Sequence, residues 1–258
     1  PKGSVFGFLG PSGSGKSTTQ KILFGVLKDY QGSVKIMNKE TRNNTRSMYE
    51  SIGVAFEFPN FYSRFSALEN LSFFRTLYTG STEDPRNLLT MVGLEKDMNK
   101  KVENFSKGMK MRLNFCRAFL NKPEVIFLDE PTSGLDPVNA KLVKSLIMEQ
   151  KSLGRTIFIT THNMTVADEI CDTVAFLIDG KIAALDTPYN LKVARSSKTV
   201  CIEYIENNLL QKKEFPLQDI GINEEFLCIL RKVPIQTIHS HEATLEDIFI
   251  EKTGRNLL

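Results

Sequence analysis

Two short stretches hold residues that could do chemistry. Gly10-Pro11-Ser12-Gly13-Ser14-Gly15-Lys16-Ser17 fits the pattern G-x-x-x-x-G-K-[ST], and Thr18 follows it. In that spacing the glycines let the backbone wrap around phosphate groups with its N–H groups pointing inward, and a following helix N-terminus adds positive dipole. Lys16 would neutralise charge on β- and γ-phosphates, and the Ser17 hydroxyl would ligate Mg²⁺. Further on, Val125-Ile126-Phe127-Leu128-Asp129-Glu130 ends an apolar run in two carboxylates. Asp129 could hold the same ion, directly or through water. Glu130 would orient and polarise the water that attacks the γ-phosphate.

These groups need elements to hold them. The apolar run over 4–9 reads as a buried strand feeding the glycine loop. Ile22, Leu23, Val26 and Leu27 recur at helical spacing, which predicts a helix over 18–28 with those four on its buried face. Strand, glycine loop and helix in that order are the context the phosphate motif requires. Further strands are expected at 34–37, 52–56, 125–128, 156–159 and 173–178. Over 66–120 the pattern turns helical, with Leu68, Leu71, Phe74 and Leu77 on one face and a second helix over 107–120. Apolar β-branched and aromatic runs alternating with helices predict an α/β fold with a parallel sheet covered on both faces. Ligands of such sheets sit at the carboxyl ends of the strands, where the acidic pair falls.

Three more motifs follow. Phe105-Ser106-Lys107-Gly108-Met109 opens a predicted helix, Ser133-Gly134-Leu135-Asp136 comes shortly after the acidic pair, and Thr161-His162 follows the strand at 156–159. Ser106 and Gly108 at a helix start bring a hydroxyl, backbone N–H groups and dipole together as a second anion site. With these, most of residues 3–195 resembles the ATP-binding subunit of ABC transporters: the motifs match its glycine loop, LSGGQ signature, acidic strand end, D-loop and switch histidine, in family order. The resemblance implies a P-loop NTPase parallel sheet of ABC ATPase type over 1–195, with a helical subdomain inserted at about 66–120. It implies a head-to-tail dimer sandwiching two ATP, in which Ser106 and Gly108 meet the γ-phosphate held by the opposite subunit. Asp136 would cross the interface to couple the two sites, and His162 would sense the γ-phosphate beside Glu130 and Lys16. Met109 and Met111 read as packing.

The departures from the family pattern are specific. Glu57 stands where the family has a glutamine after a strand; it could still meet Mg²⁺ or the lytic water, but it adds negative charge beside the phosphates. Phe105, Lys107 and Met109 replace Leu, Gly and Gln of the signature, and Lys107 could put a cation near the partner's phosphate or face solvent. The family places antiparallel strands and an adenine-stacking aromatic ahead of the glycine loop. Nine residues precede Gly10, so that aromatic has no position in this sequence, which would weaken base binding without altering the phosphate chemistry.

The polar stretch Arg195-Ser196-Ser197-Lys198, after an expected helix over 187–194, is the candidate linker. Alternating runs at 199–205 and 234–240 and a closing helix over 245–252 predict a small C-terminal α+β accessory domain over 199–258. In 258 residues, 41% hydrophobic and 24% charged composition excludes disorder and collagen-like repeats. The balance of 33 basic and 30 acidic residues gives no case for a nucleic-acid partner. Apolar runs are far too short to span a bilayer, no secretion signal is visible, and the cysteines Cys116, Cys171, Cys201 and Cys228 lie far apart. Reduced, partly buried thiols in a cytoplasmic protein are expected.

The tail, Thr244-Leu245-Glu246-Asp247-Ile248-Phe249 through Gly254, resembles the end of bacterial exporter ATPases of the bacitracin, lantibiotic and related ABC-2 type. That resemblance implies an ATPase, peripheral on the inner face of the membrane, which pairs with a separate integral membrane permease and with a second ATPase subunit in a homodimer or heterodimer. The aromatic-rich segment from Phe58 to Phe74 lies where the family docks its membrane subunit, so its rings either face a partner or fill the helical subdomain. Two other readings stand beside the exporter: a soluble ABC ATPase acting on ribosome or nucleic acid, and a nucleotide switch without turnover. A single glycine loop and the absence of a long heptad stretch between Lys16 and Asp129 count against the first.

Overall fold

The computed structural model describes residues 1–43, 46–195, 199–206, 209–241 and 243–253. The chain divides into two compact units that part between Thr187 and Pro188. In the first, β1 (Val5–Leu9) leads through the glycine loop into α1 (Lys16–Leu23), followed by the two-residue strands β2 (Lys35–Ile36) and β3 (Lys39–Glu40), α2 (Arg46–Tyr49) and β4 (Ile52–Ala55). The helices α3 (Ala67–Arg75), α4 (Pro85–Met91) and α5 (Lys107–Phe119) come next. After them run β5 (Val125–Asp129), α6 (Pro137–Ser152), β6 (Thr156–Thr161), α7 (Met164–Ile170), β7 (Thr173–Ile178) and β8 (Lys181–Asp186).

The central sheet has the order β4-β5-β6-β1-β7-β8, parallel except for the antiparallel β8 at one edge. The near-continuous burial of β1, β5 and β7 is what a parallel sheet covered on both faces demands. Register brings the working ends together: Asp129 lies opposite Thr160, and Leu9 opposite Thr161. The loop after β1, the acidic pair after β5 and His162 after β6 therefore emerge side by side.

Local signals explain most helix starts. Ser66 and Glu69 form a reciprocal capping box on α3, Asp84 caps α4 ahead of Pro85, and Asn163 caps α7. Helix α1 departs from the expected 18–28. It starts at Lys16 and ends at Leu23, and the chain turns at Gly25, whose φ of 68° lies in the left-handed region. Its buried residues are Lys16 and Gln20, and Phe24 takes the core seat with its ring edge-on to Phe127 at 4.8 Å. Val26, expected on the buried face, is 66% exposed. The expected face of α3 is likewise cut short: Leu71 is buried, but Leu77 lies beyond the helix end and is 55% exposed. The strand expected at 34–37 is only the two-residue β2, paired with β3 outside the central sheet.

The second unit holds α8 (Pro188–Arg195), β9 (Thr199–Glu206), β10 (Leu209–Pro216), α9 (Glu224–Lys232), β11 (Ile235–His241) and α10 (Leu245–Thr253). Three antiparallel strands, in the order β10-β9-β11, pack Val200, Ile202, Tyr204 and Phe215 with Phe226 of α9. Sequence reading missed β10 and α9. β10 buries only Phe215 among charged neighbours, whereas α9 carried legible signals in its Asn223 cap, its acidic first turn and its basic last turn. Thr244 caps α10, its hydroxyl accepting from Asp247 N at 3.1 Å. Of the expected linker, 196–198 lie outside the described residues, as does Gly254 at the end of the tail motif. All four cysteines are free thiols, and Cys116, Cys171 and Cys201 are buried. No helix among the described residues is long and apolar enough to cross a membrane.

One glycine sets how closely α5 approaches the sheet. A Cβ on Gly53 of β4 would lie 1.9 Å from the Ala118 carbonyl oxygen and 2.9 Å from Pro123. Gly53→Ala must push α5 off β4, at a cost of about 3 kcal/mol for an overpacked contact. Thermal unfolding should show a Tm lower by roughly 6–12 °C; an unchanged Tm would mean that α5 does not pack as described.

Candidate active site

A cleft of about 260 Å³ is lined by Ser12, Gly13, Gly15, Lys16, Ser17 and Thr18 of the loop and α1, together with Glu57, Asp129, Glu130 and His162. Gly10, Pro11 and Ser14 of the loop do not line it. A Cβ on Gly10 would come within 2.3 Å of the Leu177 carbonyl oxygen, so only glycine lets the loop leave β1 so close to β7. Gly15 occupies the cap position of α1 at φ 108°, a conformation few side chains tolerate, and offers no side-chain acceptor to the first N–H groups of the helix.

Lys16 is almost fully buried, and its Nζ donates to the Gly10 carbonyl at 2.7 Å and the Pro11 carbonyl at 3.0 Å. Burial pushes its pKa below the ordinary lysine value, opposed by the charges of Glu130, Asp129 and Glu57. The buried Ser14 Oγ finds no hydrogen-bond partner among the described residues. An uncapped helix N-terminus, an orphaned buried hydroxyl and an ammonium parked on the loop's own carbonyls fit an anion of phosphate type.

The acidic pair is held from β6. Glu130 is 7% exposed and sits at φ 46°, in the left-handed region that costs a non-glycine residue about 1–3 kcal/mol. Its carboxylate accepts from Thr161 Oγ1 at 3.0 Å and from the His162 backbone N–H at 3.0 Å. His162 Nδ1 lies 2.8 Å from the same oxygen as that N–H. Strained backbone and a carboxylate bonded on both oxygens mean that this side chain is aimed. Asp129 accepts from Thr160, which itself accepts from Gln20 at 2.8 Å. Burial raises the Asp129 pKa, with the Glu130 charge adding to it, against the Thr160 hydrogen bond and the Lys16 charge. Glu57 is raised by burial and then by the charges of Asp129 and Glu130, while His162 and Lys107 draw it down.

Ser17, Glu57 and Asp129 also line an adjoining cavity of about 470 Å³ with Phe56, Phe58, Asn60 and Arg117. A hydroxyl and two carboxylates are hard oxygen donors of the kind Mg²⁺ takes, so the residues present fit that ion.

Ser106, Gly108 and Asp136 do not line this cleft. Ser106 caps α5, accepting from Met109 N at 3.2 Å. Asp136 caps α6, accepting from the N–H groups of Asn139 and Val138, each at 3.0 Å; with the Asn139 side chain these hold its pKa below the usual carboxylate value. The signature-like turn packs on this part of its own chain: a Cβ on Gly108 would lie 3.2 Å from Asn139 Nδ2, and one on Gly134 only 2.1 Å from Lys107 Nζ. Met111 is buried and Met109 half-buried, in keeping with packing. In the aromatic segment Phe58 is 76% exposed, and Tyr62, Phe65 and Phe73 are exposed too, while Phe61 and Phe74 are half-buried.

Sequence reasoning missed two supporting groups, Thr160 and Gln20, and gave Thr161 no role beyond its place in the Thr161-His162 motif. Thr160 and Thr161 were legible as hydroxyls at the end of a buried strand. Gln20 stood among apolar residues expected to face the core, and a buried polar residue on the first helix was the available signal.

The arrangement has known counterparts. The family described as ABC transporter matches residues 1–133, and that described as fluoroquinolone efflux ABC transporter C-terminal domain matches residues 198–242. The fluoroquinolones export ATP-binding protein of Mycobacterium tuberculosis is 51% identical over 257 residues, covering 99% of this chain and 85% of that protein. The bacitracin transport ATP-binding protein of Bacillus licheniformis is 30% identical over 274 residues, 98% of this chain and 89% of its own length. Among solved structures, an ATP-binding cassette in a dimeric post-hydrolysis state bound to ADP and Pi is similar, with a TM-score of 0.66 and 28% identity over 72% of this chain and 86% of that one.

Proposed function

The chain belongs to the ABC transporter family of ATP-binding proteins, and from that premise we propose that it hydrolyses ATP at the β1–β5–β6 cleft to power an exporter. The observation that carries the reading is Glu130, strained in backbone and bonded through both oxygens, facing the same cleft as Lys16 and the first turn of α1. Relatives named for fluoroquinolone export and bacitracin transport supply the exporter class.

On this reading the chain's own groups divide the work. Lys16 exchanges the Gly10 and Pro11 carbonyls for phosphate oxygens, and the free N–H groups of the loop and α1 gather the rest of the negative charge. Glu130 accepts the proton of the attacking water, with Thr161 and the His162 N–H fixing its orientation; the His162 ring, half-exposed beside it, would donate a hydrogen bond to the departing phosphate. Ser17 and Asp129, with Glu57 beside them, would hold Mg²⁺, which when bound neutralises phosphate charge. Ser106 and Gly108 serve the site of a second copy or a homologous subunit. Their absence from this chain's own cleft, and the dimeric state of the similar cassette, support that assignment. Asp136, engaged as the α6 cap, would join the two sites across the interface.

The membrane partner would dock where Tyr49, Phe56 and Leu77, all exposed, line a groove of about 400 Å³ with Arg46, Phe74 and Arg117. The ATPase would then sit on the cytoplasmic face of the membrane, the first unit carrying the nucleotide and the second acting as an accessory module. A mild-detergent pull-down of the tagged chain from its native cells should recover a multi-span membrane protein in stoichiometric amount. Recovery with ribosomes or nucleic acid and no membrane partner would overturn the exporter reading.

A further inference from the structure

Glu57 lies on a segment with no ladder of its own: β4 ends at Ala55, and regular structure resumes only at Ala67. Asn70 of α3 and the backbone at 102–103 hold its far end, at Tyr62, Ser63 and Phe65, whereas beside Glu57 the hold comes from α5. Asn114 Nδ2 donates to the Phe56 carbonyl at 2.7 Å, and Arg117 Nη1 donates to the Asn60 carbonyl at 3.2 Å, so the helix grips the chain on both flanks of Glu57. Arg117 Nη2 donates to Asn114 Oδ1 at 2.8 Å and ties the two grips together. The guanidinium is also caged by aromatic rings, 5.8 Å from the centre of Phe56, 5.3 Å from Phe61 and 5.4 Å from Phe74. Asn114 is fully buried, and burial pushes the Arg117 pKa below its ordinary value, so neither side chain is placed there by solvent. Arg117 lines both the cavity that holds Ser17, Glu57 and Asp129 and the groove beyond Phe56.

We propose that Arg117 and Asn114 are positioning residues that fix the Glu57 carboxylate beside Ser17 and Asp129, so that α5 is a rigid strut from the Ser106–Gly108 turn to the nucleotide cleft. The proposal rests on the reading of Glu57 as a group that meets the metal–phosphate site. Arginine suits the role for a geometric reason. Its planar fork reaches two acceptors at fixed angles while its faces stack on rings, and lysine can keep the charge but not the fork. Because Asn114 and Arg117 lie on the helix that Ser106 caps, displacement of its N-terminus or of the groove wall reaches Glu57 through two hydrogen bonds rather than through a loose loop.

The test uses the full chain with Mn²⁺ as the probe, its binding followed by electron paramagnetic resonance in the presence of a non-hydrolysable ATP analogue. Arg117→Lys should weaken Mn²⁺ binding about tenfold, the usual cost of removing a group that orients a metal ligand. In a Glu57→Ala background the same change should have no further effect. Equal Mn²⁺ affinity of wild type and Arg117→Lys, or effects of Glu57→Ala and Arg117→Lys that simply multiply, would overturn the proposal while leaving the ATPase reading intact. A wild-type chain that binds no Mn²⁺–nucleotide would overturn both. Phe61→Leu thins the ring cage without touching either hydrogen bond; should Arg117→Lys fail to fold, this variant should show the same Glu57-dependent loss in smaller degree, and its absence would count against the strut.

Discussion

Glu130→Gln is expected to slow phosphate release from ATP by a factor of about 10²–10⁴, the range for loss of a positioned general base, while nucleotide affinity stays near that of the unmodified chain. The amide keeps the shape of the carboxylate. Its oxygen can still accept from the His162 backbone N–H, and its NH₂ can donate to Thr161 Oγ1, which turns from donor to acceptor. Glutamine at φ 46° carries the same backbone strain as glutamate, so the local structure survives and only proton acceptance is lost. Phosphate-release kinetics and equilibrium titration with ATP would measure the two quantities separately. With hydrolysis blocked, ATP should also leave a dimer long-lived enough to appear by size-exclusion chromatography. Unchanged turnover would sink the assignment and direct attention to Glu57, which lines the same cleft.

Legibility of this site in the sequence follows chain distance. Lys16, Ser17, Asp129 and Glu130 belong to motifs whose residues are neighbours along the chain, and register does the rest by placing β1, β5 and β6 side by side. Glu57 needed the β4–β5 pairing to come beside Asp129, and the grip of α5 on its backbone could not be read from spacing at all. The apolar periodicity of α1 misled because the helix stops at Leu23 and turns at Gly25, which leaves Phe24 packed on Phe127 and Val26 exposed. Lys107 shows the limit most sharply. Its side chain lies over Gly134 of its own chain, and its charge acts on Glu57, so the two residues that depart most in charge from the family pattern share one neighbourhood.

Lys16→Met should weaken ATP binding, measured by fluorescent-nucleotide titration, by at least about 100-fold, within the 2–5 kcal/mol that truncating one partner of a buried charge pair costs. The reason lies in the charge balance of the cleft. Glu57, Asp129 and Glu130 all face it, and Lys16 is the buried cation among them. Without it the phosphates of ATP meet three carboxylates. Methionine matches the stem of lysine and spares the packing, so circular dichroism should be unchanged while affinity collapses. A pH titration adds a second signature. Burial lowers the Lys16 pKa in the free chain, so its charge is lost on raising the pH earlier than for an exposed lysine. Affinity for ATP should therefore fall through the alkaline range in the unmodified chain, and that limb should be missing in Lys16→Met. A variant that still bound ATP tightly would place the phosphates elsewhere, and with them the reading of Glu130. The two substitutions thus separate the halves of the mechanism, since one removes the charge that gathers the substrate and the other the base that consumes it.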